Sequence, residues 1–266
     1  MNRAVLSQFL IPGTSLAMPS TIDDYIVQIG DRVGPAYGQA AGGGESLLGL
    51  IKSVFEKVEA DPVDINMGDT VVRAGRTDLE IITSLALRRT REVWLLPMLF
   101  SQMDGGEFGF IGKIMMQFYR GGFPVNAAVL ALDCADQANP ERQQRFANGV
   151  ERSVTGAGAH LPFPTVCETL DHGIVSIDGD WPRALQGVPT LIVQGELDPR
   201  ARDENVQRAI EGQENVKLLV IGNVTHDLGR SVSEKIGPRI NAIEAEFLFG
   251  DEWPAEQRID VPLALN

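Results

Sequence analysis

Asp198 and His226 are the two residues whose types and spacing could do chemistry together. Each follows an apolar run: residues 189–194 precede the turn that carries Asp198, and residues 217–221 precede the loop that carries His226. A stretch with helical spacing, residues 203–210, separates the two runs. Two parallel strands joined by a helix end at the same edge of a sheet, so we expect the carboxylate and the imidazole to meet there.

A carboxylate beside an imidazole fixes which ring nitrogen carries the proton, and it stabilises the imidazolium that forms when the ring acts as a base. Such a pair is the orienting half of a nucleophile–base–acid triad. A plainer interpretation is also open, in which Asp198 caps the following helix and His226 is a polar loop residue. The spacing alone does not choose between the two.

The sequence around both residues resembles the final segment of α/β-hydrolases. Asp198 lies in GVPTLIVQGELDPRA and His226 in VKLLVIGNVTHD, and both stretches look most like the proline iminopeptidase and tripeptidyl aminopeptidase group. In that family these turns carry the triad acid and histidine, in the order serine, acid, histidine. The resemblance implies a serine hydrolase that acts on peptide amino termini or small esters, with Asp198 orienting His226 as the base.

The nucleophile of such a site lies in a Gly-x-Ser-x-Gly turn between a strand and a helix, and this sequence contains no such turn. Ser15 in GTSLA comes nearest, but Pro19 follows too soon for the long helix that the turn must feed. Ser46 in GGESLLG has the wrong spacing and no preceding strand. RAVLS and PGTSLAMPST resemble the family's strand after the nucleophile helix and the start of its lid, which implies that the nucleophile-bearing half lies outside this sequence.

The predicted fold class is α/β, as a partial α/β-hydrolase fold with a parallel sheet and helices, plus a mostly helical lid. We expect a core strand in residues 1–12, the lid in 13–182, the carboxyl-terminal hydrolase segment in 183–250 and a tail in 251–266. Apolar spacing predicts lid helices from near Ser20 and over 45–60, 78–87, 92–103 and 108–119, a hairpin over 63–72, and a closing helix over 232–249 that is kinked or restarted at Gly237-Pro238.

Three carboxylates of the lid, Asp133, Asp136 and Glu168, are candidate ligands for a substrate α-amino group. Exopeptidases of the group that the sequence resembles hold this amine with lid acids. A buried ammonium requires a paired anion, because either charge left alone costs several kcal/mol. The alternative is that these residues form solvated acidic turns.

Cys134 and Cys167 allow one disulfide or two free thiols. The sequence shows no signal peptide at its start, which favours a cytoplasmic protein with reduced thiols; an export signal upstream would favour the bridge. Neither cysteine has the spacing of a nucleophile or a metal ligand, and no cofactor or metal site is predicted. His160 and His172 lie in predicted loops.

The chain of 266 residues is acidic, with a formal net charge of -13, which argues against nucleic acid or an anionic membrane surface as a partner. No apolar run has the length of a membrane span. The predicted partner is a peptide or small-molecule substrate. A second hypothesis is a truncated or split-gene product that binds ligands or complements an amino-terminal half on another chain.

Overall fold

The structure, a computed structural model, describes residues 3–7, 19–37, 44–121, 134, 140–158, 186–228, 236–250 and 252–262. The chain divides into two compact units. Unit 1 comprises Met1–Ser15, Leu87–Arg91 and Ser176–Asn266, and unit 2 comprises Leu16–Ala86 and Glu92–Val175.

The elements in the described residues follow one another in this order: β1 (Ala4–Ser7), α1 (Pro19–Tyr37), α2 (Gly44–Ala60), β2 (Val63–Asn66), β3 (Val71–Ala74), α3 (Arg76–Leu87), α4 (Thr90–Val93), α5 (Leu96–Asp104), α6 (Gly109–Gly121), α7 (Pro140–Val150), β4 (Thr190–Gly195), α8 (Asp203–Ile210), β5 (Val216–Gly222), α9 (Ile236–Phe249) and β6 (Arg258–Asp260).

Unit 1 is built on a parallel sheet with the strand order β1-β4-β5-β6. β4 is central and buried along its whole length, as its run of apolar and β-branched residues predicts. Its register places Gly195 opposite Ile221 of β5, so the two strands end at the same edge. The α/β class that the sequence predicts is therefore confirmed.

Both faces of this sheet are covered. On one face, alternate residues of β4 and β5 form a core with α9, in which Phe247 is fully buried. On the other face, Ile192 packs with Val206 of α8. Because successive side chains of a strand point to opposite faces, Gln194 lies on the same face of β4 as Ile192.

Unit 2 is mostly helical, with α1, α2 and α5 packed together. Apolar residues at helical spacing are buried in α1 and α2, and Phe55 of α2 contacts Phe100 of α5 with ring centroids 5.9 Å apart. The predicted hairpin is confirmed, since β2 and β3 pair antiparallel with Val63 opposite Ala74.

A polar cluster joins α1 and α3 of unit 2 to the segment after α7. The Asp23 carboxylate accepts hydrogen bonds from the backbone N–H groups of Val154 and Thr155 and from the hydroxyl of Ser153. On α3, Arg76 pairs with Glu80 at 2.7 Å. Burial raises the pKa of the Glu80 carboxyl, and its hydrogen bond with Arg76 opposes that shift.

The prediction of one continuous helix over residues 92–103 is wrong. The chain forms α4 and α5 instead, with a turn between them in which Leu95 N–H bonds to Glu92 C=O. Pro97 lies in the first turn of α5, where its missing N–H costs no hydrogen bond. The prediction placed this proline inside one helix, whereas it marks the start of a second one.

In its described part the closing helix begins at Ile236, next to the kink or restart predicted at Gly237-Pro238. α9 runs from Ile236 to Phe249 as one helix, and Pro238 falls in its first turn. The predicted residues before Ile236 lie outside the described residues.

Cys134 is buried and disulfide-bonded, whereas the sequence favoured reduced thiols. That expectation rested on the absence of a signal peptide and used no geometry. Cys167 lies outside the described residues.

Candidate active site

Asp198 lies in a turn after β4 that we call the acid turn, residues 195–201, and its side chain is fully buried. The backbone N–H groups of Arg200 and Ala201 donate to its Oδ1 at 2.8 and 3.0 Å. Gln194 Nε2 and His226 Nδ1 both lie 2.8 Å from its Oδ2. Four donors thus surround the two oxygens, which is the number that an ionised carboxylate accepts and the condition for burying its charge.

His226 follows β5 in a loop that we call the histidine loop, residues 223–228. A carboxylate only accepts hydrogen bonds, so the 2.8 Å contact with Asp198 requires the proton of neutral His226 on Nδ1. The lone pair is then on Nε2, which is the nitrogen that a general base uses. The His226 side chain keeps about a fifth of its surface exposed, at 21%.

The predicted meeting of these two residues is therefore confirmed, while their catalytic role stays a prediction. The plainer interpretation of Asp198 as a helix cap is wrong. The residue at the start of α8 is Arg202, which makes no side-chain capping bond, and the two amides that Asp198 binds precede this helix.

Gly195 allows the acid turn and the histidine loop to approach closely. A Cβ at this position would lie 2.3 Å from the carbonyl oxygen of Thr225 and 2.6 Å from that of Val224. The backbone of the two segments is joined there, since Leu197 N–H bonds to Val224 C=O at 2.9 Å. A side chain at residue 195 would separate the acid from the base.

A second support comes from Leu87–Arg91, which belongs to unit 1 and which we call the threonine segment. The Thr90 hydroxyl accepts the backbone N–H of Thr225 at 3.1 Å and donates to Asp227 Oδ1 at 3.1 Å. Asp227 also accepts the N–H of Thr90, and its own N–H bonds to Arg88 C=O. The residues on either side of His226 are thus fastened to a segment that lies far away in sequence.

The carboxyl-terminal strand β6 reinforces the same edge of the sheet. Glu196 of the acid turn accepts the N–H of Asn223, whose backbone has a positive φ of 62°, and pairs with Arg258 at 3.1 Å. Arg258 also bonds to Asp260, and these two carboxylates, Asp260 foremost, raise the pKa of its guanidinium. Asn223 Nδ2 bonds to Val261 C=O, so the start of the histidine loop is held from both sides.

Of the other serines, histidines and lid acids singled out from the sequence, only Ser46 lies among the described residues. Asp133, Asp136, Glu168 and Ser15 lie outside the described residues, as do His160 and His172. Ser46 is exposed in the first turn of α2, in unit 2.

Two contacts of the candidate site were not predicted from the sequence, those of Gln194 and Thr90. Gln194 is the one polar side chain between Leu191 and Gly195, and that break in an apolar run was a usable signal. Thr90 contacts Thr225, which is 135 residues away in the sequence, and local sequence patterns do not predict contacts between residues so far apart.

Within the described residues, no cluster of His, Cys, Asp and Glu side chains is arranged to hold a metal ion. None of the helices in the described part of the chain is long and apolar enough to cross a membrane. No protein-family model matches the sequence, and a search of curated proteins finds no significant match.

Proposed function

We propose that this chain supplies the acid and the general base of a serine-hydrolase-type active site that acts on peptide amino termini or small esters. The observation that supports it is the 2.8 Å contact between His226 Nδ1 and the buried Asp198 carboxylate at the carboxyl edge of a parallel sheet. The likeness of both turns to the aminopeptidase-like α/β-hydrolases supports the same reaction.

In this reaction His226 Nε2 takes the proton of a nucleophilic hydroxyl, whose oxygen then bonds to the substrate carbonyl carbon. Asp198 stabilises the imidazolium formed. The bond from the carbonyl carbon to the leaving nitrogen or oxygen then breaks, and the imidazolium returns its proton to the leaving group. A water molecule, deprotonated by the same imidazole, releases the acyl group and restores the hydroxyl. The nucleophilic residue itself is not assigned.

The test is active-site labelling and turnover with the full chain. We expect a fluorophosphonate probe to label the protein, and Asp198→Asn and His226→Gln to lower labelling and hydrolysis of aminoacyl and short-chain esters by about 10⁴-fold. Asp64→Asn is the matched control, because Asp64 is exposed on β2 and only weakly paired with Arg73 at 3.7 Å. Hydrolysis that survives both site substitutions would contradict the proposal.

The selectivity for a free amino terminus has its own test in the lid carboxylates Asp133, Asp136 and Glu168. If Asp136 binds the substrate ammonium, Asp136→Lys raises KM for free-amine substrates and leaves KM for their N-acetyl counterparts unchanged. An equal loss on both substrate sets would remove Asp136 from amine recognition.

A second candidate function is non-catalytic: the chain binds peptides or complements a separate polypeptide. The observation that favours it is that β1 lies at an edge of the described sheet, where it pairs with β4 alone. An edge strand offers backbone N–H and C=O groups to a further strand. Peptides that raise the melting temperature of the chain without being cleaved, together with no fluorophosphonate labelling, would identify this function.

A further inference from the structure

We propose that Gln194 is a positioning residue, which holds the Asp198 carboxylate in the rotamer that binds His226 Nδ1 and so fixes the tautomer of the base. Its importance for catalysis rests on the proposed function; its effect on the Asp198–His226 pair does not. Gln194 Nε2 donates to Asp198 Oδ2 at 2.8 Å, and the same oxygen accepts His226 Nδ1.

The position of Gln194 is unusual for an amide. It is fully buried in the central strand, directly after Leu191, Ile192 and Val193. Burial of an amide without hydrogen bonds costs about 1–3 kcal/mol in proteins. Its Nε2 meets two acceptors, Asp198 Oδ2 and the Ala201 carbonyl at 2.5 Å. Because both partners can only accept, the amide nitrogen must face them, and its orientation is not arbitrary.

The other end of this amide is not satisfied. Gln194 Oε1 is buried and has no hydrogen-bond partner among the described residues. An unsatisfied buried carbonyl costs about 1–3 kcal/mol, and a methionine of similar shape would fill this space without that cost, but it would take a donor away from Asp198 Oδ2 and from the Ala201 carbonyl. Packing therefore does not explain a glutamine here, whereas a required N–H donor does.

The donor matters because the two Asp198 oxygens are held unequally. Oδ1 receives two backbone N–H groups of its own turn, which stay in place whatever happens at residue 194. Within the described part of the chain, Oδ2 receives only side chains, Gln194 from the strand and His226 from the histidine loop. Without Gln194 the carboxylate can rotate about its side-chain torsion and leave His226 Nδ1, which frees the imidazole to change tautomer.

The test is nuclear magnetic resonance of the full chain labelled with ¹⁵N-histidine, in which His226→Gln assigns the His226 signals. In the parent protein we expect the Nδ1–H tautomer with a downfield, hydrogen-bonded Nδ1 proton. In Gln194→Met we expect both tautomers and loss of that proton signal, while thermal unfolding shows a folded protein. An unchanged tautomer and proton signal in Gln194→Met would overturn the proposal.

Gln194→Glu keeps the shape of the side chain and makes its hydrogen bond to Asp198 depend on pH. A protonated carboxyl can donate to Asp198 and restore the downfield proton at acidic pH, whereas an ionised one repels Asp198 and abolishes the signal at alkaline pH. This variant also covers the case in which Gln194→Met does not fold. If the signal is equally strong at both pH values, Gln194 does not position Asp198.

Thr190→Val is the matched control. Thr190 is also fully buried on β4, but its hydroxyl bonds to Val188 C=O at the opposite end of the strand, so the His226 signals should not change. Where turnover is measured, Gln194→Met should lower kcat by about 100-fold with KM unchanged. If Gln194→Met changes the tautomer of His226 but turnover does not depend on Asp198, the proposed function is refuted and the positioning role of Gln194 stands.

Discussion

At the scale of single residues, Gly195 is the position where the least change should do the most damage. In Gly195→Ala the new methyl group would meet backbone oxygens of the histidine loop, 2.3 and 2.6 Å away, and backbone yields less readily than a flexible side chain. We expect a loss of about 1–3 kcal/mol in the free energy of unfolding, measured with urea, because overpacking forces the backbone apart. The His226 Nδ1 proton signal should weaken as the two segments separate.

Gly49→Ala is the control for this substitution. Gly49 lies in the interior of α2, where a methyl group would meet no neighbouring atom within 4 Å beyond the adjacent backbone of its own helix, so alanine should raise the free energy of unfolding by about 0.5–1 kcal/mol. If Gly195→Ala is as stable as the parent, the close approach of the acid turn and the histidine loop is not a constraint.

The sequence predicts some residues of the site and not others for a physical reason. Asp198 and His226 each follow a strand directly, so strand pairing alone places them at one edge. Gln194 lies inside strand β4, and its partners Asp198 and Ala201 reach it only because the acid turn folds back over the end of the strand. Thr90 reaches the histidine loop from another part of unit 1, and that contact exists only once the tertiary structure has formed.

At the scale of elements, the Thr90 hydroxyl makes hydrogen bonds that join the threonine segment to the histidine loop, beside two bonds that involve backbone N–H groups. Thr90→Val keeps the shape but removes the acceptor of Thr225 N–H and a donor to Asp227, and leaves a buried N–H unpaired. We expect a loss of about 1–3 kcal/mol in stability. Amide hydrogen exchange should show faster exchange at Thr225 than in the parent.

Thr83→Val provides the comparison for that prediction. Thr83 is equally buried, but its hydroxyl donates only to Leu79 C=O within its own helix α3. Its removal leaves no backbone N–H unpaired, so the exchange of Thr225 should match the parent. Equal effects of the two valine substitutions would show that the threonine segment does not support the histidine loop.

Buried Glu80, paired with the partly exposed Arg76, should make the stability of unit 2 depend on pH. Burial raises the pKa of Glu80 above its ordinary value of 4.5, so the folded state binds its proton more tightly than the unfolded state does. The resulting contribution to stability is full below pH 4.5 and is lost as pH rises through the folded pKa. Relative to the parent, Glu80→Gln should therefore gain stability as pH rises from about 4.5.

Urea unfolding of both proteins at several pH values measures that difference. Glu56→Gln is the control, because Glu56 is 60% exposed and its contact with Lys52 spans 3.9 Å. The stability difference between Glu56→Gln and the parent should vary less with pH. A difference for Glu80→Gln that is constant with pH would show that burial does not perturb this carboxyl.

Elements with regular apolar spacing could be predicted from the sequence, and irregular ones could not. α8 has the predicted bounds, Asp203–Ile210, because its apolar stripe is short and ends at a glycine. The break between α4 and α5 was missed because Trp94, Leu95 and Leu96 continue an apolar pattern across it. β6 has only three residues, Arg258–Asp260, and its pairing with β5 has no periodicity to reveal it.

At the scale of the whole molecule, the disulfide of Cys134 belongs to one of two units. Both cysteines of the sequence fall in the stretch Glu92–Val175, which is part of unit 2. A bridge that closes a loop of about 30 residues stabilises a fold by about 3–4 kcal/mol, mainly by restricting the unfolded chain. Unit 1 has a separate core, formed by the sheet with α8 and α9, and does not contain this loop.

Reduction should therefore weaken unit 2 selectively. We expect mass spectrometry of the denatured, unreduced chain to find no alkylated cysteine, and the reduced chain to carry two labels. Hydrogen exchange of the reduced protein should become faster in α1 and α2 and stay unchanged in β4 and β5, because only unit 2 loses the restraint on its unfolded state. Two labels without reduction would refute the bridge. Faster exchange throughout the sheet would show that the units unfold together, and the acid–base pair of unit 1 would then depend on the oxidation state of a cysteine in unit 2.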